Sequence, residues 1–236
     1  MEEDTLLTLL TPEQGVVTAF LKGTKRLRNH MASSTELLCY SSFVLFQNKE
    51  KCYVDKADPI RLFFGIREDL ERLALGSWFA QLCQTLCPQG TEAGEILRLL
   101  LNSLHMLEKG NMPLPQLKAL TELRLLTLSG YMPDLVACRE CGCFKSDSMT
   151  FLPISGELLC GDCAGEGGQE GALPVSRGVL AAMRHIIYAP AAKLYSFSLS
   201  PEGQRQLERL SEAYLCCQLE RSFPTLDFYH SLMIGL

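Results

Sequence analysis

The chain has 236 residues, 47% hydrophobic and 21% charged, an ordinary globular balance that excludes wholesale disorder. Its net charge of −5 argues against a general polyanion binder, and no uninterrupted apolar run reaches the roughly 18 residues of a membrane helix. The acidic start Met1-Glu2-Glu3-Asp4 lacks the basic flank of a signal peptide, so a soluble cytoplasmic protein is expected.

The total charge hides an asymmetry. Residues 1–15 sum to −4, 16–67 to +5, 68–137 to −3 and 138–236 to −3. A local positive field near the N-terminus matters more to an anionic partner than the sum does.

Taken in chain order, the first 60 or so residues read as β-structure. Residues 5–10 and 16–21 flank a turn in which Pro12 presets φ and Gly15 supplies the positive φ that closes a hairpin. Two more β-like runs, 36–47 and 51–56, are separated by a charged turn, and short strands joined this way suggest a small barrel or sandwich. The most basic segment, with Lys22, Lys25, Arg26 and Arg28, falls between the second and third runs, and Lys49, Lys51, Lys56, Arg61 and Arg67 follow. These charges suit phosphates, and Tyr40, Phe43, Phe46 or Tyr53 could stack bases; alternatively the charges are a solvated turn and the aromatics are core.

After Pro59 the period becomes helical. Residues 63–86 carry one apolar stripe with a weak point expected at Gly76; Thr91 can cap a second helix ending at Gly110; a third begins near Pro115 and stops at Gly130. Residues 133–170 hold few large apolar side chains but many cysteines, and the run 165–171 has the composition of a flexible linker. Three further helices are expected at 176–187, 200–217 and 225–233.

Eleven cysteines without a secretion signal argue against a disulfide framework. Cys39, Cys52, Cys83, Cys87, Cys216 and Cys217 read as scattered small hydrophobes. Cys138, Cys141, Cys160 and Cys163 form C-x2-C-x18-C-x2-C, a pair of knuckles able to close a tetrahedral shell of four sulfurs on one Zn2+. The strand-turn-strand pattern between them is that of a zinc ribbon, and Gly142 and Gly161 allow the close backbone approach that knuckles need. Four protein ligands leave no open position, so the metal would be structural. Redox dithiols are the competing reading, but the βαβ context they use is absent; Cys143 reads as a spare thiol. No phosphate loop, dinucleotide fingerprint or nucleophile elbow is present and the four histidines are isolated, so no catalytic residue is assigned and the chain is not expected to be an enzyme.

In order, the segments Thr8-Leu-Leu-Thr-Pro-Glu13, Ala19-Phe-Leu-Lys-Gly23, Phe63-Phe-Gly-Ile-Arg-Glu-Asp-Leu70, Pro133-Asp-Leu135, the two cysteine pairs and Leu219-Glu-Arg-Ser-Phe-Pro-Thr-Leu-Asp-Phe228 resemble the bacterial RecO recombination-mediator family over nearly the whole chain. The resemblance implies an α+β architecture: an N-terminal OB-like DNA-binding β-barrel over 1–60, then a helical domain over 61–236 with an embedded four-cysteine zinc ribbon at about 134–165. It also implies the function. The family binds single- and double-stranded DNA, anneals complementary strands and, with RecR, helps RecA replace single-strand binding protein, in the bacterial cytoplasm at the nucleoid.

DNA contacts are carried over only to Lys22, Lys25, Arg26 and Arg28. The family usually has a further β-strand before the stretch that begins here at Met1. Either this start omits that strand, which would expose an unpaired edge, or the barrel closes another way. The rival reading is a zinc-stapled protein-interaction scaffold without DNA affinity; a thiol oxidoreductase is a third.

Overall fold

The computed structural model describes residues 5–22, 31–165 and 171–234. Among them the chain is mixed α+β, with an N-terminal sheet and a helical C-terminal region. It divides into two compact units, 1–109 with 228–236, and 110–227.

In the first unit, β1 (Thr5–Thr11), β2 (Gly15–Leu21), β3 (Cys39–Asn48) and β4 (Lys51–Leu62) form one sheet in the order β1-β2-β4-β3. β1 pairs antiparallel with β2 and β3 with β4, whereas β2 and β4 run parallel through Ala19↔Cys52 and Phe20↔Tyr53. The parallel contact is short, which explains how β4 can continue past Pro59. That residue has no N–H to give, but β2 no longer runs beside it, and its pairing with Ser41 sits next to a register shift. One face of the sheet buries Ala19, Leu21, Val54 and Ala57 with Met31. Leu7, Leu9, Phe43 and Leu45 pack against them half-covered.

Three helices follow: α1 (Phe64–Arg67), α2 (Leu70–Leu86) and α3 (Gly94–Lys109). The single helical stripe expected over 63–86 is broken at 68–69, not weakened at Gly76. The Asp69 carboxylate accepts the backbone N–H groups of Glu71 and Arg72 and so starts a new helix. Gly76 instead lies in mid-helix where a Cβ would stand 2.7 Å from the Leu38 side chain, so the missing side chain is a packing allowance. Thr91 does not cap α3, which begins only at Gly94; its hydroxyl instead donates to the Pro88 carbonyl.

The β1–β2 turn is tied to the α2–α3 connection. Val16 N–H donates to the Cys87 carbonyl, Gly90 N–H to Gln14 and Ala93 N–H to Pro12, at 3.3, 2.9 and 2.8 Å. Arg61 on β4 reaches His105 and Glu108 on α3, both at 2.8 Å, so His105 has a polar neighbour at the helix edge.

The second unit is organised around α4 (Leu114–Leu128), which Pro115 helps to start. Residues from Gln116 to Leu123 are buried without a break, so α4 is enclosed on all sides. It packs on α6 (Arg177–Tyr188) and α7 (Pro201–Leu219), and α7 is capped by the Ser200 hydroxyl accepting from Gly203 N–H. Polar residues on this enclosed helix are satisfied: Lys118 Nζ lies 2.9 Å from Glu122 and 2.8 Å from Glu212, and Ser211 donates to Glu122 at 2.7 Å. Desolvation opposes charge on Lys118, but Glu122 and Glu212 more than offset it and hold the ammonium protonated above its ordinary range.

Between α4 and α6 in the chain stand β5 (Met149–Leu152), β6 (Glu157–Cys160), the short α5 (Gly161–Ala164) and β7 (Leu173–Val175), sheet order β6-β5-β7. The final helix is α8 (Pro224–Ile234). No helix among the described residues is long and apolar enough to cross a membrane.

Candidate metal centre and nucleic-acid interface

The cysteine pairs flank one hairpin in the chain. Cys138 bridges to Leu158 on β6, while Cys160 ends that strand and pairs with Met149. The hairpin register Thr150↔Leu159 and Phe151↔Leu158 therefore carries both knuckles to one end. Gly142 holds φ at +72°, the left-handed turn that favours glycine, and Gly161 lies against the Ser148 side chain, where a Cβ would require the hydroxyl to move.

The result is four sulfurs, from Cys138, Cys141, Cys160 and Cys163, all within 4.8 Å of one another. Sulfurs about 2.3 Å from a tetrahedral zinc stand about 3.8 Å apart; the Cys141 and Cys160 sulfurs are 3.6 Å apart. The donor set and spacing fit a metal ion. Desolvation opposes ionisation of Cys138, yet backbone N–H groups of Cys141, Cys160 and Glu140 bring its thiol down to about 6. Hydrogen bonds with Cys160 and Cys141 push Cys163 the other way, so the thiols of the cluster are unequal. Cys143 stays outside the group: its thiol donates to the Lys145 carbonyl at 2.9 Å, and its own carbonyl accepts from Cys138 N–H.

Helices hold the hairpin from behind. Phe151 meets the Tyr214 ring of α7 edge-on at 5.6 Å, Gln218 donates to the Pro153 and Ile154 carbonyls, and Arg184 of α6 donates to the Leu135 and Val136 carbonyls. Burial raises the Tyr214 hydroxyl to about 12.

The sequence places a second candidate site on the N-terminal sheet. Lys22 follows β2 and is exposed; Lys25, Arg26 and Arg28 lie outside the described residues. Of the later basic residues, Lys56 pairs with Asp58, Arg61 with Glu108 and Arg67 with Glu36. Lys22 and Lys51 are placed differently. Lys22 Nζ stands 4.5 Å from the centre of the Tyr53 ring, and Lys51 Nζ 5.2 Å from that of Phe20.

The aromatics expected either to stack bases or to fill the core divide between the two. Phe43 packs against the buried side of the sheet. Phe46 and Tyr53 are on its other side, with ring centres 5.4 Å apart and planes 20° apart, and Tyr53 lies 5.7 Å from Phe20. Phe20 was not among the expected aromatics. Its two-residue offset from Lys22 was the available signal, since alternate residues of a strand share a face.

The family model described as Recombination protein O N terminal matches residues 1–63, and that described as Recombination protein O C terminal matches 67–227. The DNA repair protein RecO of Acetivibrio thermocellus is 34% identical over 231 residues, 98% of this chain and 91% of the relative. That of Symbiobacterium thermophilum is 32% identical over 235 residues, 98% and 92% of the two chains. The names denote a recombination and repair role and no catalysed reaction. On these matches, which run from the N-terminal sheet through the cysteine hairpin to the closing helix, the chain belongs to the RecO family of DNA repair proteins.

Proposed function

We propose that this chain is a recombination mediator. It binds single- and double-stranded DNA through the basic side of an OB-like N-terminal barrel, anneals complementary strands and, with RecR, helps load RecA onto DNA coated by single-strand binding protein. It works in the bacterial cytoplasm at the nucleoid. The reading is supported by a family matched over 98% of the chain, and by the +5 segment of residues 16–67 coinciding with the sheet that displays Lys22 and Lys51. A sheet whose order departs from a simple meander, with one parallel pair, is in keeping with a Greek-key barrel.

Lys22, Lys25, Arg26 and Arg28 draw in backbone phosphates without reading sequence, and neutralising two strands lets them approach and pair. Cys138, Cys141, Cys160 and Cys163 hold one structural Zn2+, which fixes the hairpin and does no chemistry. The helical region, at −3 in each of its two segments, is unsuited to DNA and serves as the platform for RecR and single-strand binding protein.

Fluorescence anisotropy with a labelled single strand over a salt series tests this reading. Each phosphate contact contributes about −0.7 to the log–log slope. Changing Lys22, Lys25, Arg26 and Arg28 together to Glu is expected to abolish binding at moderate salt. Undiminished binding by that variant would move the site elsewhere; no binding by the wild-type protein at low salt would leave a protein scaffold.

A further inference from the structure

The outer side of the N-terminal sheet carries a row of apolar side chains, one from every strand and all in register. Leu6 on β1 pairs with Phe20 on β2, Phe20 with Tyr53 on β4, and Tyr53 with Phe46 on β3. None faces the core: the flanking Ala19, Leu21 and Val54 point into it, so their neighbours point out. Leu6 is 58% and Phe46 46% exposed, and Phe20 and Tyr53 are half-buried against each other.

A solvent-facing row of this kind on a sheet with one face buried would ordinarily be polar. Here the polar groups beside it are Lys22 and Lys51, each reaching back over a ring of the row. Rings with ammonium groups above them form a surface for a ligand that is at once anionic and flat-faced. Single-stranded nucleic acid has that chemistry, with phosphates for the lysines and unpaired bases for the rings; in a duplex the base faces are already stacked on one another.

We infer that Phe20, Tyr53 and Phe46 are a base-stacking platform for single-stranded nucleic acid, with Lys22 and Lys51 holding its phosphates. The inference rests on the DNA-binding reading above and adds that bases, as well as phosphates, are bound. It gives the chain a preference for unpaired strands that diffuse charge cannot supply, because duplex offers more phosphate but no free base face. Leu6 closes the row on the β1 side as an apolar edge.

The test compares an oligothymidylate of about 12 nucleotides, within the site size of one such fold, with an abasic strand of the same length and charge. Binding is measured to the full chain and to its Phe46→Ala, Tyr53→Ala and Tyr53→Phe variants. Stacking adds roughly tenfold per engaged base, so the wild-type protein is expected to bind the base-bearing strand at least tenfold more tightly than the abasic one. In Phe46→Ala and Tyr53→Ala that ratio falls toward one while the salt slope stays as in the wild type, and Tyr53→Phe restores it. Because Phe46 is already half in water, its variant keeps the fold, which circular dichroism verifies.

Equal affinity of the wild-type protein for both strands would overturn the platform and leave the phosphate-binding reading standing. A ratio that survives both alanine changes would overturn it in the same way. A Phe46→Ala variant whose only change is loss of self-association would assign the row to a second copy of the chain. Failure of the wild-type protein to bind either strand at low salt would remove both readings together.

Discussion

Two small sheets in this chain use their aromatic residues in opposite ways. In the cysteine hairpin, Phe151 is fully buried against Tyr214, and α6 and α7 supply the backing. In the N-terminal sheet, Phe43 packs inward against Ala19, Leu21, Val54 and Ala57, but Phe20, Tyr53 and Phe46 sit on the outer side, with lysines over Tyr53 and Phe20. A three-stranded sheet too small to make its own core gains order from helices behind it and a cluster of sulfurs at its end. A four-stranded sheet with a core of its own can leave large rings outside, where they are free to meet a ligand. Aromatic content alone therefore says little about which sheet is the structural one.

The sharpest way to break the contrast is to remove what holds the hairpin. Metal analysis of the purified protein is expected to find one zinc per chain. Structural zinc contributes on the order of 10 kcal/mol in small peptide sites. Chelation, or Cys160→Ser, is therefore expected to release hydrogen-exchange protection across β5 and β6 while leaving β1–β4 protected. Full thiol titration with no metal and intact protection would refute the structural role.

A smaller effect comes from exchanging the two kinds of aromatic. Phe151→Ala should cost about 3–5 kcal/mol as a core deletion, whereas Phe46→Ala should stay within about 0.5 kcal/mol as a surface change. Chemical denaturation of both variants reads the difference, and equal costs would show that the outer row is packed rather than displayed. Comparable to the first of these, Lys118→Met should cost about 3–5 kcal/mol, because it leaves the fully buried Glu122 carboxylate without its cation. A neutral outcome in chemical denaturation would show that the ammonium is not needed to keep Glu122 enclosed.

The two sheets also differed in how far they could be read in advance. Each cysteine knuckle is four residues long and its hairpin lies between the pairs, so local spacing was enough to anticipate the cluster that the fold assembles. β7 was missed because a three-residue strand containing Pro174 has neither length nor alternation to mark it. On the N-terminal sheet the strands were legible from β-branched runs and turn residues, but the role of each aromatic depends on which face it takes, and Phe46 and Phe43 differ by an odd offset that register alone makes meaningful. The break at Asp69 was equally hidden. A capping aspartate inside a continuous apolar stripe looks like any other polar position until its carboxylate is seen to accept two backbone N–H groups.

The bonds that fasten the β1–β2 turn to the α2–α3 connection have a consequence for the order in which the protein is made. Gln14, Pro12 and Val16 emerge early in synthesis, but their partners Gly90, Ala93 and Cys87 follow only some seventy residues later or more. At synthesis rates of roughly 5–20 residues per second, that separation keeps the first hairpin waiting for seconds. During that interval the Val16 N–H and the Pro12 and Gln14 carbonyls have only water for partners, so the turn is fastened by backbone that is made long after it.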